Sequence, residues 1–314
     1  MKLISTLLLL LFVLFSGYCF SQQTGDDQSS ETASPKKLKK EKDQSWKGFH
    51  AGLYLGGFFA NNYTAALYNG YGYDQDGNPN DFGNSFMYRR IMIDYGGNYG
   101  QTIDQVALAL GVNHGDWMFD QSDMPASVTY NTAFMIGAHL QYGITKKDGI
   151  ILNVNTAQLN LTGNFTIVLT NPLIGPQQPG YQNIKTFAIT GGEQRMMFQL
   201  GYRRVLGNDD KFNFFIEGGP AFNLTKFMKN QITINNLQID LTYYYNQTYY
   251  TTYHAKYLIG VGFGAFAGFG FNFKMNPKIS LEVVYTPSYE KISIGYEPKY
   301  TLQNAIGAKI FYDL

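Results

Sequence analysis

The sequence is poor in cysteine, in charge and in long apolar runs, and each shortage excludes a class of protein. Cys19 is the only cysteine among the 314 residues, so a disulfide framework and a metal site built from several cysteines are both excluded. Only 15% of the residues are charged and the net charge is +1, which gives no support for nucleic-acid binding. Beyond the N-terminus no apolar run approaches the roughly 20 residues that a membrane helix needs.

The N-terminus is typical of a secretory signal peptide. Lys2 supplies a positive charge, residues 3–15 are almost wholly apolar, and small residues follow. We predict that residues 1–21 form the signal, so that Cys19 leaves with it. The alternative is a lipoprotein acylated at Cys19. The bulky Tyr18 argues against it, because a small residue normally precedes a lipidated cysteine.

Residues 22–46 are polar and almost free of apolar side chains, so we predict a disordered periplasmic tail. Acidic residues come first and lysines follow, and charge runs of this kind are common in disordered tails. The alternative to a solvated leader is a docking tail for a periplasmic protein or for anionic lipid headgroups. The lysines that would make those contacts are Lys36, Lys37, Lys39 and Lys40.

The apolar content is high but dispersed along the chain. Hydrophobic residues make up 45%, with 25 Tyr, 24 Phe and 34 Gly, and from residue 47 apolar and polar side chains alternate. This period of two predicts an all-β fold over 47–314, a transmembrane antiparallel up-and-down β-barrel whose strands expose every second residue to lipid. A soluble β-sandwich would show the same alternation but usually carries more charge.

Turn signals divide this region into about eight strands. The connections between them alternate between short and long. Bacterial barrels place short turns in the periplasm and long loops outside, so we predict that both ends of the barrel are periplasmic. The predicted strands cover about 47–60, 127–145, 150–169, 185–206, 211–228, 255–275, 279–295 and 299–314.

Two of these strands have distinctive patterns. In the sixth, glycines alternate with an apolar stripe, which predicts that the inward positions leave room for bulky or charged side chains from opposite strands. In the third, the apolar residues change phase from Ile150 and Val154 to Leu159 and Leu161. We interpret this change as a β-bulge near Ala157.

The first long connection, 61–126, leaves the strand count open. A Thr-x-x-Gln capping box begins at Thr102, apolar residues follow at helical spacing, and a glycine ends the pattern. We predict a short helix over 102–111, in the first external loop or folded into the barrel mouth. The alternative is a hairpin made of 85–95 and 102–113, which would give ten strands.

The last predicted strand resembles a known sorting signal. Ala305, Gly307, Ile310 and Tyr312 resemble the terminal strand signal by which barrel-assembly machinery recognises its substrates. A polar residue usually stands in place of Ala305, and here two residues follow the final aromatic. With a Gln after the predicted signal peptide and Tyr/Asn-rich loops, the chain resembles Bacteroidota outer-membrane β-barrel families. The resemblance implies an outer-membrane location, among lipids and lipopolysaccharide, and no single activity.

Six inward-facing polar side chains form the candidate site inside the barrel. Eight strands enclose a lumen only wide enough for side chains to fill it, so charges buried there must pair. This favours a structural salt-bridge network over a proton path or a polar ligand site, and it argues against a wide diffusion pore. The six residues are His50, His139, Arg195, Arg203, Glu217 and Glu282.

Barrel enzymes of the outer membrane use His with Ser or Asp near the external rim. The candidates for such a site are His114, Asp116, Ser122, Asp123 and His254. No nucleophile–base pair can be placed among them from the sequence, and the histidines lack metal-ligand spacing. We therefore expect no catalytic site, metal or cofactor.

The third long loop is rich in tyrosine, which is typical both of an aromatic girdle and of a protein interface. With the charged tail, this loop predicts a non-enzymatic structural or accessory subunit of a larger envelope assembly, such as a protein-insertion or secretion machine. The alternatives are a lipid A-modifying or proteolytic enzyme and a small channel. The tyrosines that would contact a partner are Tyr243, Tyr244, Tyr245, Tyr249, Tyr250 and Tyr253.

Overall fold

The computed structural model describes residues 47–74, 78–97, 103–170, 183–207, 211–242, 259–276, 278–294 and 298–313. Within these ranges the chain forms one closed antiparallel ring of eight strands. The strands are β1 Gly48–Phe59, β2 Ala133–Gly143, β3 Asp148–Leu169, β4 Asn183–Leu206, β5 Phe212–Ile234, β6 Ile259–Lys274, β7 Ile279–Ser293 and β8 Tyr300–Asp313.

Each ring strand pairs with the strand before it and the strand after it in sequence, and β8 returns to β1. The predicted all-β, up-and-down barrel is therefore confirmed. His50 of β1 is paired with Asp313 of β8, so both ends of the ring lie on the side of the short turns. That this side faces the periplasm stays a prediction from loop lengths.

The connection between β1 and β2 forms short helices and short strands. Two of its segments, Trp117–Met118 and Val128–Tyr130, pair with the end of β3. A further short strand, Leu237–Asp240, follows β5 and pairs with it. The helical turns of the connection are Asn62–Tyr68, Phe86–Tyr88, Arg89–Asp94, Gln105–Leu110 and Gln121–Asp123.

Among the described residues, no helix is both long enough and apolar enough to cross a membrane.

The predicted helix over 102–111 is present but shorter, at Gln105–Leu110. Its N-cap is Asp104, whose carboxylate accepts a hydrogen bond from the Ala107 N–H at 2.8 Å. The prediction of a capping box that begins at Thr102 is therefore wrong, and Thr102 lies outside the described residues. Gly111 ends the helix with a φ of 74°, a left-handed conformation that favours glycine.

The ten-stranded alternative is wrong, because the stretch 85–95 is helical over most of its length. Ser85 caps its first turn by accepting a hydrogen bond from the Tyr88 N–H at 3.1 Å. Met87 and Ile91 follow at helical spacing and are fully buried. The adjacent Phe86 is buried as well, whereas a strand buried on one face would point Phe86 and Met87 to opposite sides.

Three adjacent ring strands are much longer than the rest. β3, β4 and β5 have 22, 24 and 23 residues, whereas the other ring strands have 11 to 16. The extra length lies on the side of the long loops. There the three long strands form a sheet that extends beyond the ends of the shorter strands.

The outer surface of the ring is apolar, and every ring strand contributes large exposed side chains. On β7 the outward apolar run extends from Ile279 to Tyr289 and is followed by the exposed Lys291. About ten residues correspond to roughly 33 Å along a strand and to about 25 Å along the axis of a tilted barrel. One such exposed residue from each strand is Leu53, Ile136, Ile150, Leu200, Ile216, Phe269, Val283 and Ile306.

Along the three long strands, the apolar side chains change from the outer face to the inner face. The outward row Gln158–Gln194–Lys226, which we call the boundary row, follows the row Thr156–Met196–Leu224. Below the boundary row the outside is mainly apolar and the inside is polar. Above it, outward positions carry Asn and Thr, while Leu159 and Leu161 point inward and are buried.

The predicted bulge near Ala157 is therefore wrong. The pairing of β3 with β4 continues without a shift from Asp148↔Arg204 to Leu169↔Asn183. The apolar residues change face because their surroundings change, from a lipid-facing exterior to a core inside the extended sheet.

That core joins the sheet to the connection between β1 and β2. We call the described part of residues 60–132, together with the parts of β3–β5 above the boundary row, the cap. Its buried apolar residues include Tyr68, Met87, Ile91, Val106, Trp117 and Phe119 from the connection, and Leu161, Phe165, Ile189, Phe227 and Ile232 from the strands.

Candidate functional site

The lower part of the lumen is crossed by two ion pairs. Arg203 of β4 donates to both carboxylate oxygens of Glu282 on β7, with Nη1 2.9 Å from Oε2. Lys309 of β8 donates to Glu217 of β5 at 2.8 Å and 3.1 Å. All four side chains are buried, and each pair joins strands that lie on different sides of the ring. The two pairs therefore fill the cross-section of the lumen.

Aromatic and glycine residues fit around these pairs. The Phe215 ring lies 3.8 Å from the Arg203 guanidinium carbon, a favourable cation–π distance. A Cβ at Gly268 would come within 2.4 Å of Glu217 Cγ, and a Cβ at Gly270 would come within 2.5 Å of the Phe215 ring. The glycines of β6 therefore leave room for bulky and charged neighbours, as the alternating pattern predicts.

The two barrel histidines are buried near these pairs. His139 Nδ1 is hydrogen bonded to Asn153 Oδ1, and Asn153 donates to Gln199 at 3.1 Å. The edge of the His139 ring meets Phe311, with the centroids 4.8 Å apart. His50 is buried too, and it is paired with Gln141, two residues from His139 on β2 toward the short turns.

A second polar layer closes the upper part of the lumen, under the cap. Arg195 Nε donates to Glu193 Oε1 at 2.6 Å. The other carboxylate oxygen accepts hydrogen bonds from the hydroxyls of Tyr68 at 2.9 Å and Tyr130 at 3.0 Å. Arg195 Nη2 also donates to Thr64 Oγ1 at 3.0 Å. Three residues of the β1–β2 connection are thus held by one buried ion pair, which we call the latch.

Tyr130 belongs to the connection, outside the ring strands, and its hydroxyl is suited to donating. Burial raises the pKa of Tyr130, and the negative charge of Glu193 raises it further. The hydroxyl therefore stays protonated and donates to the carboxylate.

Little space remains between the two layers. The room open to the centre of a water molecule is about 10 Å³, enough for roughly one water. The Tyr54 hydroxyl and Asn155 Oδ1 line this space, and neither atom makes a hydrogen bond to a described protein atom. The lumen is therefore closed by its own side chains over the described residues.

The six predicted lumen residues are all buried, but sequence reasoning missed three of the charges that accompany them. Lys309 and Glu193 are the partners of Glu217 and Arg195, and Glu290 accepts from Asn223 at 3.2 Å. Glu193 and Glu290 lie an even number of residues from Arg195 and Glu282, on the same inward face of their strands. Lys309 alternates with the outward apolar residues of β8. Strand alternation alone was the signal that would have found them.

Each described residue that was considered for an enzyme site is hydrogen bonded to a side chain outside that set. His114 contacts Asp104 at 2.9 Å, whereas the Ser122 hydroxyl donates to Asp120 at 2.6 Å. Asp123 accepts from Thr166. His254 lies outside the described residues. In the described part of the chain there is no group of three or more His, Cys, Asp or Glu side chains that could hold a metal ion.

The residues considered for a partner interface all lie outside the described residues: Lys36, Lys37, Lys39, Lys40, Tyr243, Tyr244, Tyr245, Tyr249, Tyr250 and Tyr253.

No protein-family model matches the chain, and no curated protein matches it either. Among solved structures, the outer membrane protein OprG from Pseudomonas aeruginosa is similar over 86% of this chain and 99% of its own, with 9% identity and a TM-score of 0.37.

Two other outer-membrane barrels give similar values. The N-terminal β-barrel domain of OprF from Pseudomonas aeruginosa shows 7% identity and a TM-score of 0.30, covering 85% of this chain and 98% of that one. Ail, the attachment invasion locus protein of Yersinia pestis, shows 9% identity and a TM-score of 0.29, covering 85% and 99%. Likeness at this level carries no information about activity, so function has to be inferred from the sealed lumen and the cap.

Proposed function

We propose that this chain is a sealed outer-membrane β-barrel that serves as a structural or accessory subunit of a larger envelope assembly. The even number of ring strands and an apolar outer band about 25 Å tall support the outer-membrane location. The observation that carries the role is the closed lumen. Because ion pairs fill its lower part and the latch fills its upper part, the interior offers no path for solutes and only the outer surfaces remain for interaction.

The cap supplies a surface of this kind. A core of buried apolar residues gives it a fixed shape beyond the lipid-facing band. Two apolar side chains on its surface, Ile103 and Leu108, are 57% and 69% exposed. Since they lie on the cap, outside the apolar band, lipid does not account for them, and we take them as the candidate contact residues for a partner.

Purification tests the proposal. The protein is extracted from its native membrane in a mild detergent and its companions are quantified by mass spectrometry. We expect a stoichiometric envelope protein that is lost when Ile103 and Leu108 are both replaced by Ser. The matched control is Met275→Ser, which changes a residue of equal exposure, 69%, at the opposite end of the barrel. A wild-type barrel that purifies without a stoichiometric partner would contradict the accessory role.

A further inference from the structure

We infer that the outer face of β3–β5, just above the apolar band, binds the phosphorylated sugar headgroup of an anionic glycolipid in the outer leaflet. The inference rests on the outer-membrane location in the proposed function and adds a named site to it. It starts from two consecutive outward rows of the sheet. These are the boundary row, Gln158–Gln194–Lys226, and the next row, Asn160–Gly192–Lys229.

A β-bulge places both lysines on the same face. Lys226 and Lys229 are three residues apart, and in a regular strand they would point to opposite sides of the sheet. Here Phe227 is paired with Glu193 and Lys229 with Gly192, so Met228 is an extra residue in β5. The bulge turns Lys229 outward beside Lys226, and bulges commonly re-aim a side chain in this way at functional positions.

Gly192 has no side chain between Asn160 and Lys229 and is buried beneath these two row neighbours. A Cβ on this glycine would lie 3.5 Å from the Leu159 carbonyl oxygen, 3.7 Å from Asn160 Oδ1 and 3.8 Å from Lys229 Cγ. The side chains of Asn160, on β3, and Lys229, on β5, therefore come together over the glycine. Both are exposed, as are Gln158 and Lys226.

The charge of this face suits a phosphate. The two rows and the row above them, Thr162–Thr190–Gln231, contain two lysines and no carboxylate among their nine described positions. Glu193, between the two rows on β4, is buried and accepts a hydrogen bond from Arg195. Asp240 is paired in register with Gln231 and accepts a hydrogen bond from the Thr242 N–H at 2.7 Å. An anion beside Lys226 and Lys229 therefore meets positive charge without opposing negative charge in these rows.

The neighbouring side chains suit a sugar. Gln158, Asn160 and Gln194 each offer a donor and an acceptor, the combination that sugar hydroxyls need. The site also continues directly from the lipid-facing band, since Met196 and Leu224 of the preceding row are apolar. Acyl chains against the band would thus place a headgroup at the height of the two lysines. Together these features select a phosphorylated glycolipid over a zwitterionic phospholipid.

The test uses the full chain in phosphatidylcholine vesicles and three probes: bis-phosphorylated lipid A, dephosphorylated lipid A and added phosphatidylcholine. We expect wild-type protein to bind bis-phosphorylated lipid A most tightly. The Lys226→Gln/Lys229→Gln variant should bind it roughly 10- to 30-fold more weakly, since each lysine near an anionic membrane surface raises the affinity by up to about five-fold. The matched control is Lys146→Gln/Lys147→Gln, in the turn at the other end of the barrel, and it should bind as wild type does.

The amide side chains have a separate readout. Asn160→Leu should weaken the binding of phosphorylated and of dephosphorylated lipid A by the same factor, because the substitution removes a contact to the sugar and no charge. Unchanged lipid A affinity in the double lysine variant would overturn the inference, and so would an equal loss in the turn control. If the double variant folds poorly, the two single lysine variants replace it, and unchanged affinity in both would equally overturn the inference. Failure here would leave the sealed lumen and the partner experiment untouched.

Discussion

Arg203 of β4 and Glu282 of β7 meet across the lumen as a two-point ion pair, and neither side chain is more than 1% exposed. Asn272 donates a further hydrogen bond to the same carboxylate at 2.9 Å. A buried pair of this kind contributes little net stability relative to apolar side chains. Removing one partner is nevertheless strongly destabilising, because the other charge then stays buried without compensation. In this barrel the pair also occupies the space through which a solute would pass.

The first prediction concerns the loss of one partner. Arg203→Met should lower the free energy of unfolding by about 3–5 kcal/mol, because Glu282 is then buried without its cation. Denaturant titration of the protein in lipid vesicles measures this change. Arg204→Met is the matched control, since the neighbouring Arg204 is 55% exposed and stands 3.6 Å from Asp148. Similar losses in the two variants would show that the pair across the lumen is not buried as described.

The second prediction contrasts two adjacent glycines of β1. Gly56→Ala would place its Cβ 2.4 Å from the Ile306 carbonyl oxygen and 2.7 Å from the Tyr54 hydroxyl, whereas at Gly57 the nearest atom is 3.5 Å away. Overpacking should therefore destabilise Gly56→Ala by about 1–3 kcal/mol. Gly57→Ala should be tolerated. Unfolding midpoints of the two variants are compared in the same vesicles, and equal midpoints would contradict the inward packing of Gly56.

The third prediction concerns the latch. Tyr68→Phe removes a hydrogen bond to the Glu193 carboxylate, and bonds to charged acceptors contribute about 1.5–3 kcal/mol. Amide hydrogen exchange in Asn62–Tyr68 should speed up while exchange in the ring strands stays slow. Tyr63→Phe, at an exposed tyrosine of the same helix, is the control. Unchanged exchange in Tyr68→Phe would mean that Glu193 does not hold the connection.

The fourth prediction locates the upper edge of the membrane. Val283→Arg, in the middle of the apolar run of β7, should destabilise the folded barrel in vesicles by about 2–4 kcal/mol. Thr162→Arg lies above the boundary row and should change stability far less, because its side chain meets water. Equal penalties at the two positions would place the boundary elsewhere.

Much of the ring was predictable because one physical rule governs it. A strand between lipid and a polar lumen must alternate, so the eight strands and the inward positions of Arg203, Glu217 and Glu282 follow from the period of two. The glycine stripe of β6 follows in the same way. The pairing of Glu217 with Lys309 was not predicted, since partners across a lumen depend on register and tilt that the sequence does not state.

The errors arise where that rule stops applying. Leu159 and Leu161 have the right period but the opposite face, because above the boundary row the apolar side turns inward to cover the cap core. In the sequence, a β-bulge and a switch of the buried side both appear as a one-residue shift in the apolar pattern. The real bulge, at Met228, left no such signal. The N-cap at Asp104 was missed because Thr102, two residues earlier, fits the Thr-x-x-Gln pattern, and that local pattern does not state which side chain accepts the Ala107 N–H.

The most direct test of the sealed lumen is single-channel recording of the full-length protein in planar bilayers. We expect no stepwise conductance from the folded wild-type barrel, because the Arg203–Glu282 and Lys309–Glu217 pairs fill the lower lumen and the latch fills the upper. Reproducible conductance steps from that same folded protein would contradict the closed lumen and, with it, the proposed accessory role.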